Sequence, residues 1–177
     1  MFGARGTFFA RGVDVFLADT QAVMTAAARH KGASVVEILQ NCVIFNNGIH
    51  SYITDKDKRD DHIIRLRQGE KMLFGKNMEK GLVQDGFGLK AVTVGEDGYT
   101  IDDVLVHDAH TPQNFLHQQL AMMDGHTLPL AIGVIRDVEA PSYETAVAEQ
   151  VEEVRARRAY TDLRSMILAT HETWTVE

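Results

Sequence analysis

A chain of 177 residues is long enough to bury a core, and its 45% hydrophobic and 24% charged content is typical of a soluble globular protein. The net charge of −7 and the pI near 5.6 argue against nucleic acid as the main partner, because phosphate binding requires clustered lysines and arginines. One cysteine excludes an intrachain disulfide, which fits a cytoplasmic protein, and no stretch has the roughly 20 apolar residues that span a membrane.

The first 40 residues predict a strand, a helix and a second strand. Thr7–Val13 has the composition of a strand. A helix is expected from a cap at Asp19 or Thr20 to about His30, because its apolar residues recur with the helical period. The near-continuous apolar run Ala33–Leu39 predicts a strand that is covered on both faces. Together these elements form a βαβ unit, in which we expect the two strands to be parallel.

The middle of the chain is less regular. Residues 41–61 are polar and predict a solvated connection, and residues 77–85 are glycine-containing and predict a loop. Short strands are expected at four apolar segments: Ile63–Leu66, Met72–Gly75, Ala91–Val94 and Val104–His107.

The last third predicts two helices and one strand. Thr111 and Pro112 have the preferred residue types for opening a helix, which is expected to run to about Met123. A strand is predicted at Leu130–Arg136, and a strongly charged helix at residues 143–159. The order of elements is therefore α/β first and α+β later.

Cys42, the single cysteine, follows the second predicted strand and is the first candidate for chemistry. A lone cysteine is often a small buried hydrophobic residue, and one thiolate alone cannot hold an iron–sulfur cluster or a structural zinc. As a nucleophile it would need a base such as His50 nearby. His107 and His110 have a spacing that could ligate a metal at a strand end, or they could mark a polar corner between two elements. The sequence contains no phosphate-binding glycine motif.

Five blocks of sequence, in the same order, resemble one family: the β subunit of 2-oxoacid:ferredoxin oxidoreductases, over its C-terminal half and of the 2-oxoglutarate type. The most specific block is Val36–Asn46, which contains Gln-Asn-Cys-x-Ile-Phe-Asn. The other blocks are Gly6–Arg11, Gly69–Lys76 with Lys80–Leu82, Val104–Asp108, and Pro129–Arg136 continuing through Tyr143.

The resemblance implies an activity and a set of cofactors. Such enzymes decarboxylate a 2-oxoacid on thiamine diphosphate with Mg²⁺, pass electrons through a 4Fe–4S cluster to ferredoxin, and form an acyl-CoA. It also implies that Cys42 is a cluster ligand, with Asn41 and Phe45 as its surroundings. Asn47 stands where the family usually has aspartate, so one charge is lost beside the sulfur.

The family's Gly-Asp-Gly-Asp and Cys-Pro-x-Cys-Gly motifs precede the first block and do not occur in this sequence. We therefore expect an α/β fold in which residues 1–66 form part of a thiamine-diphosphate-binding-type domain with a mainly parallel sheet. Residues 67–177 would form the last region of the β subunit, a small α+β appendage. The isolated chain is expected to be inactive and to be an oligomer or to need its α subunit. The alternative is a non-catalytic interaction module that docks on an α subunit or an assembly.

Overall fold

The computed structural model describes residues 1–158, 160, 162–169, 174 and 176, which fall into two units, residues 1–140 and residues 141–177. The first unit opens with strand β1 at Phe8–Val13, helix α1 at Leu17–Arg29 and strand β2 at Ser34–Leu39. β1 and β2 are parallel, from the Phe8–Ser34 pair to the Val13–Leu39 pair. The predicted βαβ unit is confirmed.

The helix of this unit begins earlier than its sequence suggests. Phe16 is the N-cap and provides no side-chain hydrogen bond, so the predicted cap at Asp19 or Thr20 was wrong. Asp19 lies in the first turn of α1, where a carboxylate faces the positive end of the helix dipole. The Thr20 hydroxyl instead donates to the Val13 carbonyl at 2.8 Å and ties the helix to the end of β1.

Besides short 3-10 turns at Phe2–Ala4 and Ile101–Asp103, the remaining elements of the first unit are two short α-helices, five strands and a longer α-helix. In chain order they are α2 at Ser51–Thr54, α3 at Arg59–His62, β3 at Ile63–Arg65, β4 at Leu73–Phe74, β5 at Lys80–Asp85, β6 at Gly88–Thr93, α4 at Phe115–Met122 and β7 at Leu130–Asp137. The polar connection predicted at residues 41–61 therefore holds two helical turns, and Ile53 within it is fully buried.

Two sheets organise these strands. The larger has the order β2-β1-β7-β3, with parallel pairs β1–β2 and β3–β7 and an antiparallel pair β1–β7 between them. The smaller is the antiparallel sheet β4-β5-β6. The larger sheet is mostly parallel, as predicted. Because β7 lies between β1 and β3, the segments predicted as residues 1–66 and 67–177 share one sheet; the family domain division at residue 66 stays a prediction.

Four predicted elements differ from the structure. Residues 80–85 form β5 rather than a loop, and residues 104–107 contribute a single β-bridge, between Val106 and Lys71, rather than a strand. The helix expected from Thr111 begins at Phe115. Ser34–Leu39 is an edge strand with no fully buried residue, so the prediction of a strand covered on both faces was wrong.

The core lies on both sides of β1 and β7. On one side Phe8 and Ala10 pack with Val23 of α1. A larger cluster lies around Ile64, Leu120 and Ile135, all fully buried. These contacts fix the β1–α1–β2 unit, and with it the loop that follows β2.

The second unit contains α5 at Tyr143–Arg157 and α6 at Leu163–Leu168. The Ser142 side chain caps α5 by accepting from the Thr145 amide at 3.3 Å. The charged helix predicted at residues 143–159 is confirmed to Arg157, and residue 159 lies outside the described residues. Across the described part of both units, no helix is long and apolar enough to cross a membrane.

Candidate functional site

The loop that carries Cys42 begins shortly after the end of β2. It lies at the carboxyl ends of the parallel strands β1 and β2, the edge at which open α/β sheets place their sites. A turn closes it: the Asn46 amide donates to the Cys42 carbonyl at 3.0 Å, and the two residues form a β-bridge. We call residues 41–48 the cysteine loop.

Two asparagines hold the base of the cysteine loop together. The Asn41 side chain donates to the Asn47 side-chain oxygen at 3.0 Å and accepts from the Gly48 amide at 2.8 Å. Asparagine side chains commonly close loops in this way, because one amide group both donates and accepts. The Asn41 amide is thus engaged with the loop itself, and its predicted role beside the cluster stays a prediction.

The Cys42 thiol is exposed, and the backbone around it favours its charged form. A hydrogen bond from the Phe45 backbone amide is the main cause of a lowered Cys42 pKa, and the amides of Ile44 and Asn46 act in the same direction. Donors directed at a sulfur stabilise the thiolate, which is the nucleophile and the metal ligand. The arrangement therefore suits Cys42 to bind a metal or to react.

The residues after Cys42 are apolar and open to solvent. Val43, Ile44 and Phe45 are exposed to 72%, 82% and 89% of their maximal surface. The Phe45 ring therefore leaves the sulfur open in this chain, while its backbone amide lowers the pKa of the Cys42 thiol. The sequence pointed to Phe45 for its ring; its main-chain donor could not be identified from a side-chain type.

His107 and His110 do not converge on a common point. The buried His107 ring donates from Nε2 to the Val134 carbonyl at 2.8 Å, and burial lowers its pKa. His110 donates from Nδ1 to the Asp137 carbonyl at 2.6 Å. Each ring thus joins its segment to β7 through a hydrogen bond. This agrees with the interpretation that the two histidines mark a polar corner between elements. Within the described residues, no three histidine, cysteine or carboxylate side chains form a group that could hold a metal.

Partly buried polar contacts link the strands beneath the cysteine loop. Arg11 on β1 pairs with Glu37 on β2 at 2.5 Å and donates to the Ala121 carbonyl at 2.5 Å. At the other end of β1, His30 bridges the Thr7 hydroxyl at 2.9 Å and the Asp137 carboxylate at 2.8 Å. These positioning residues lie in or directly beside the blocks that carry the family resemblance, but sequence analysis gave them no role because their partners are distant in the chain.

A separate cleft of 410 Å³ lies in the first unit, with Ile132–Val134 of β7, Val23 of α1 and Arg65–Gln68 among its walls. None of Asn41, Cys42 and Phe45 lines it. The predicted site is therefore an exposed loop rather than a cleft.

Comparison with known proteins shows what the whole chain is similar to. No family model matches the chain. The chain is 35% identical over 179 aligned residues to the 2-oxoglutarate oxidoreductase subunit KorB of Mycobacterium tuberculosis, with 99% of this chain and 47% of that protein covered. It thus spans about half the length of the curated relative that it matches.

A solved structure shares the fold. It is the 2-oxoglutarate:ferredoxin oxidoreductase from Magnetococcus marinus, with 2-oxoglutarate, coenzyme A and succinyl-CoA bound. The TM-score is 0.53 at 18% identity, over 93% of this chain and 41% of that chain. Together the sequence match and this fold match confirm the resemblance to 2-oxoglutarate oxidoreductase subunits.

Proposed function

We propose that this chain is the C-terminal half of the β subunit of a 2-oxoglutarate:ferredoxin oxidoreductase and acts within a complex with an α subunit. The complex would decarboxylate 2-oxoglutarate oxidatively, form its acyl-CoA and pass the electrons to ferredoxin. The observation that carries this proposal is the 35% identity along 99% of the chain. The position of an amide-supported thiol at the carboxyl ends of two parallel strands is consistent with it.

Cys42 is the residue of this chain that we propose as a 4Fe–4S cluster ligand. The exposed thiol and its amide donors fit one ligand position, because iron binds the thiolate and backbone hydrogen bonds to sulfur tune such centres. A cluster takes four protein ligands, so the other three would come from elsewhere in the complex. The bound cluster would supply one-electron transfer, and this chain would supply one thiolate and its hydrogen bonds.

We propose that the isolated chain binds no thiamine diphosphate and is inactive. The diphosphate of this cofactor is held through Mg²⁺, which prefers carboxylate and amide oxygens. The motif that supplies these oxygens in the family does not occur in this sequence. Calorimetry of the isolated chain with thiamine diphosphate and Mg²⁺ should show no binding in the micromolar range; such binding would contradict this part of the proposal.

The test of the function uses the assembled complex. This chain is produced with the α subunit and with a chain that carries the Cys-Pro-x-Cys-Gly motif, and the complex is purified without oxygen. Cys42→Ala should abolish most of the cluster's visible absorbance and the 2-oxoglutarate-dependent reduction of ferredoxin. Val43→Ala, the matched control in the same loop, should retain both. Full absorbance and activity in Cys42→Ala would show that Cys42 is not a ligand.

One observation favours the alternative of a non-catalytic interaction module. The three consecutive exposed residues Val43, Ile44 and Phe45 form an apolar surface of the kind that marks binding sites for other proteins. If the chain is only a module, Phe45→Ala should weaken binding to the α subunit, and Cys42→Ala should leave the activity of the whole complex unchanged. The two variants together therefore distinguish the enzyme from the module.

A further inference from the structure

The surface of α5 carries a narrow apolar stripe. Tyr143, Val147, Val151 and Val154 are separated by four, four and three residues, a spacing that places them on one face of a helix. Their exposed fractions are 82%, 37%, 42% and 64%, and no residue of α5 is buried. We call the three valines with Tyr143 the valine stripe. It runs most of the length of the helix, which is about 22 Å at 1.5 Å per residue.

Charge is divided unevenly along the same helix. Glu144 lies in the first turn, and Arg155, Arg157 and Arg158 lie at the other end. Arg155 pairs with Glu152 at 2.5 Å and Arg157 pairs with Glu153, whereas Arg158 makes no ion pair within the described residues. Residues 143–150 carry two glutamates, Glu144 and Glu149, and no arginine, so their net charge is −2. Residues 151–158 carry three arginines and two glutamates, so their net charge is +1.

We propose that α5 is an interface at which two copies of this chain pair in antiparallel orientation through the valine stripe. With a two-fold axis near residues 150 and 151, Val147 of one copy lies against Val154 of the second. The two Val151 side chains then meet near the centre. At each end, Glu144 of one copy lies beside Arg158 of the other. This pairing goes beyond the proposed oxidoreductase role and does not depend on it.

Charge complementarity selects both the partner and the orientation. In an antiparallel pair, the net negative first half of each helix faces the net positive second half of the other, and the two-fold axis repeats that contact. A parallel pair would place Glu144 beside Glu144 and Arg158 beside Arg158, which like-charge repulsion disfavours. A second copy of this chain therefore supplies the charges that complement those of α5.

The pairing should be weak, because the valine stripe is short. Three valines and one tyrosine per copy bury little apolar surface, and association first costs translational and rotational freedom. We expect dissociation constants on the order of tens to hundreds of micromolar. Sedimentation equilibrium of the full chain, from about 10 μM to about 1 mM, covers this range.

The first test places a charge in the stripe. Val151→Glu should weaken dimerisation by at least about tenfold, because it brings two carboxylates together at the two-fold axis. Ala156→Glu adds the same charge to the opposite face of α5 and should leave the dissociation constant unchanged. A parent chain that stays monomeric at about 1 mM, or equal effects of the two variants, would overturn the proposal.

The second test addresses orientation. Glu144→Arg and Arg158→Glu should each weaken the dimer, and the double variant should restore it, because the charge pair is then reversed in both copies. In a Cys42→Ser background, a mixture of Val147→Cys and Val154→Cys chains should form a disulfide-linked dimer, and neither chain alone should do so. Failure of the double variant to restore pairing, or cross-linking of Val147→Cys alone, would overturn the antiparallel arrangement.

Discussion

At the scale of single residues, the main chain determines the state of the Cys42 sulfur. The amides that lower the Cys42 pKa belong to Phe45, Ile44 and Asn46, and none of these donors depends on a side chain. A pattern of residue types cannot reveal such donors, because every residue except proline carries the same amide. The sequence could identify the thiol as the candidate, but the cause of its lowered pKa required the conformation of the cysteine loop.

The first prediction follows from that pKa. The thiolate is the reactive form, so in the folded chain the rate of alkylation by iodoacetamide should rise at a lower pH than in the urea-unfolded chain. Phe45→Ala removes an exposed ring and keeps the amide, so its pH profile should match that of the parent. Identical profiles for the folded and unfolded parent would contradict a role for the amides.

At the scale of elements, a glycine that close packing requires was interpreted from the sequence as a sign of a loop. Gly81 lies inside β5, where a β-carbon would approach Val104 Cγ2 to 2.5 Å, so the residue is small because another segment crosses close to it. The same glycine suggested a loop in the sequence. The β1–α1–β2 unit, in contrast, was predictable because its apolar residues repeat with the helical and strand periods along the chain.

The second prediction concerns this close approach. Gly81→Ala should lower the free energy of unfolding by about 1–3 kcal/mol, because Val104 must move to accommodate the new methyl group. Gly88→Ala, at the start of β6, is the matched control. Its β-carbon would lie 3.6 Å from the nearest atom, the Asp85 carbonyl oxygen, and its effect should be small. Urea unfolding measures both, and equal losses would contradict the packing role of Gly81.

Two buried histidines connect elements and make the fold sensitive to acid. His117 on α4 accepts from Arg136 through Nδ1 at 3.0 Å and donates from Nε2 to the Asp108 carbonyl at 2.8 Å. Burial is the main cause of a lowered pKa for both His117 and His107. The unfolded chain therefore binds more protons than the folded chain below the ordinary histidine pKa of 6.5.

The third prediction is the resulting pH dependence. The stability that these neutral rings contribute should be complete above about pH 6.5 and should fall steadily as the pH decreases from there through the folded-state pKa values. His117→Gln can keep both hydrogen bonds without titrating, so its stability should decline less between pH 7 and pH 5. Urea unfolding at several pH values provides the comparison; equal slopes for parent and variant would show that His117 does not contribute.

At the scale of the whole molecule, the larger sheet ends in a strand that exposes apolar side chains. β2 is an outer strand, and Val35 and Ile38 on it are 43% and 42% exposed. Sequence analysis predicted a covered strand there because apolar residues usually indicate burial, and a single chain cannot reveal which neighbour covers a surface. That the chain is an oligomer or needs a partner stays a prediction.

The fourth prediction tests this edge. Val35→Lys should reduce light scattering when concentrated protein is warmed, because it both removes an exposed apolar side chain from an edge strand and adds a charge that disfavours pairing with further strands. The midpoint of urea unfolding should change little, since the side chain is already partly in solvent. Ser34→Lys adds the same charge at an exposed polar position of the same strand, removes no apolar surface, and should have the smaller effect. Unchanged scattering in Val35→Lys would show that β2 does not cause association.

The position of β7 has a consequence for biosynthesis. β7 ends at Asp137 and lies between β1 and β3, so the central pairings of the larger sheet join residues about 70 to 130 positions apart. During translation, β1 and β3 leave the ribosome long before the strand that separates them. β1 can pair with β2 on one edge at once. Its other edge, and the edge of β3 that pairs with β7, must wait for the last strand of the unit. Slow synthesis before residue 130 would lengthen that interval, and chaperone binding to the nascent chain should end once β7 has emerged.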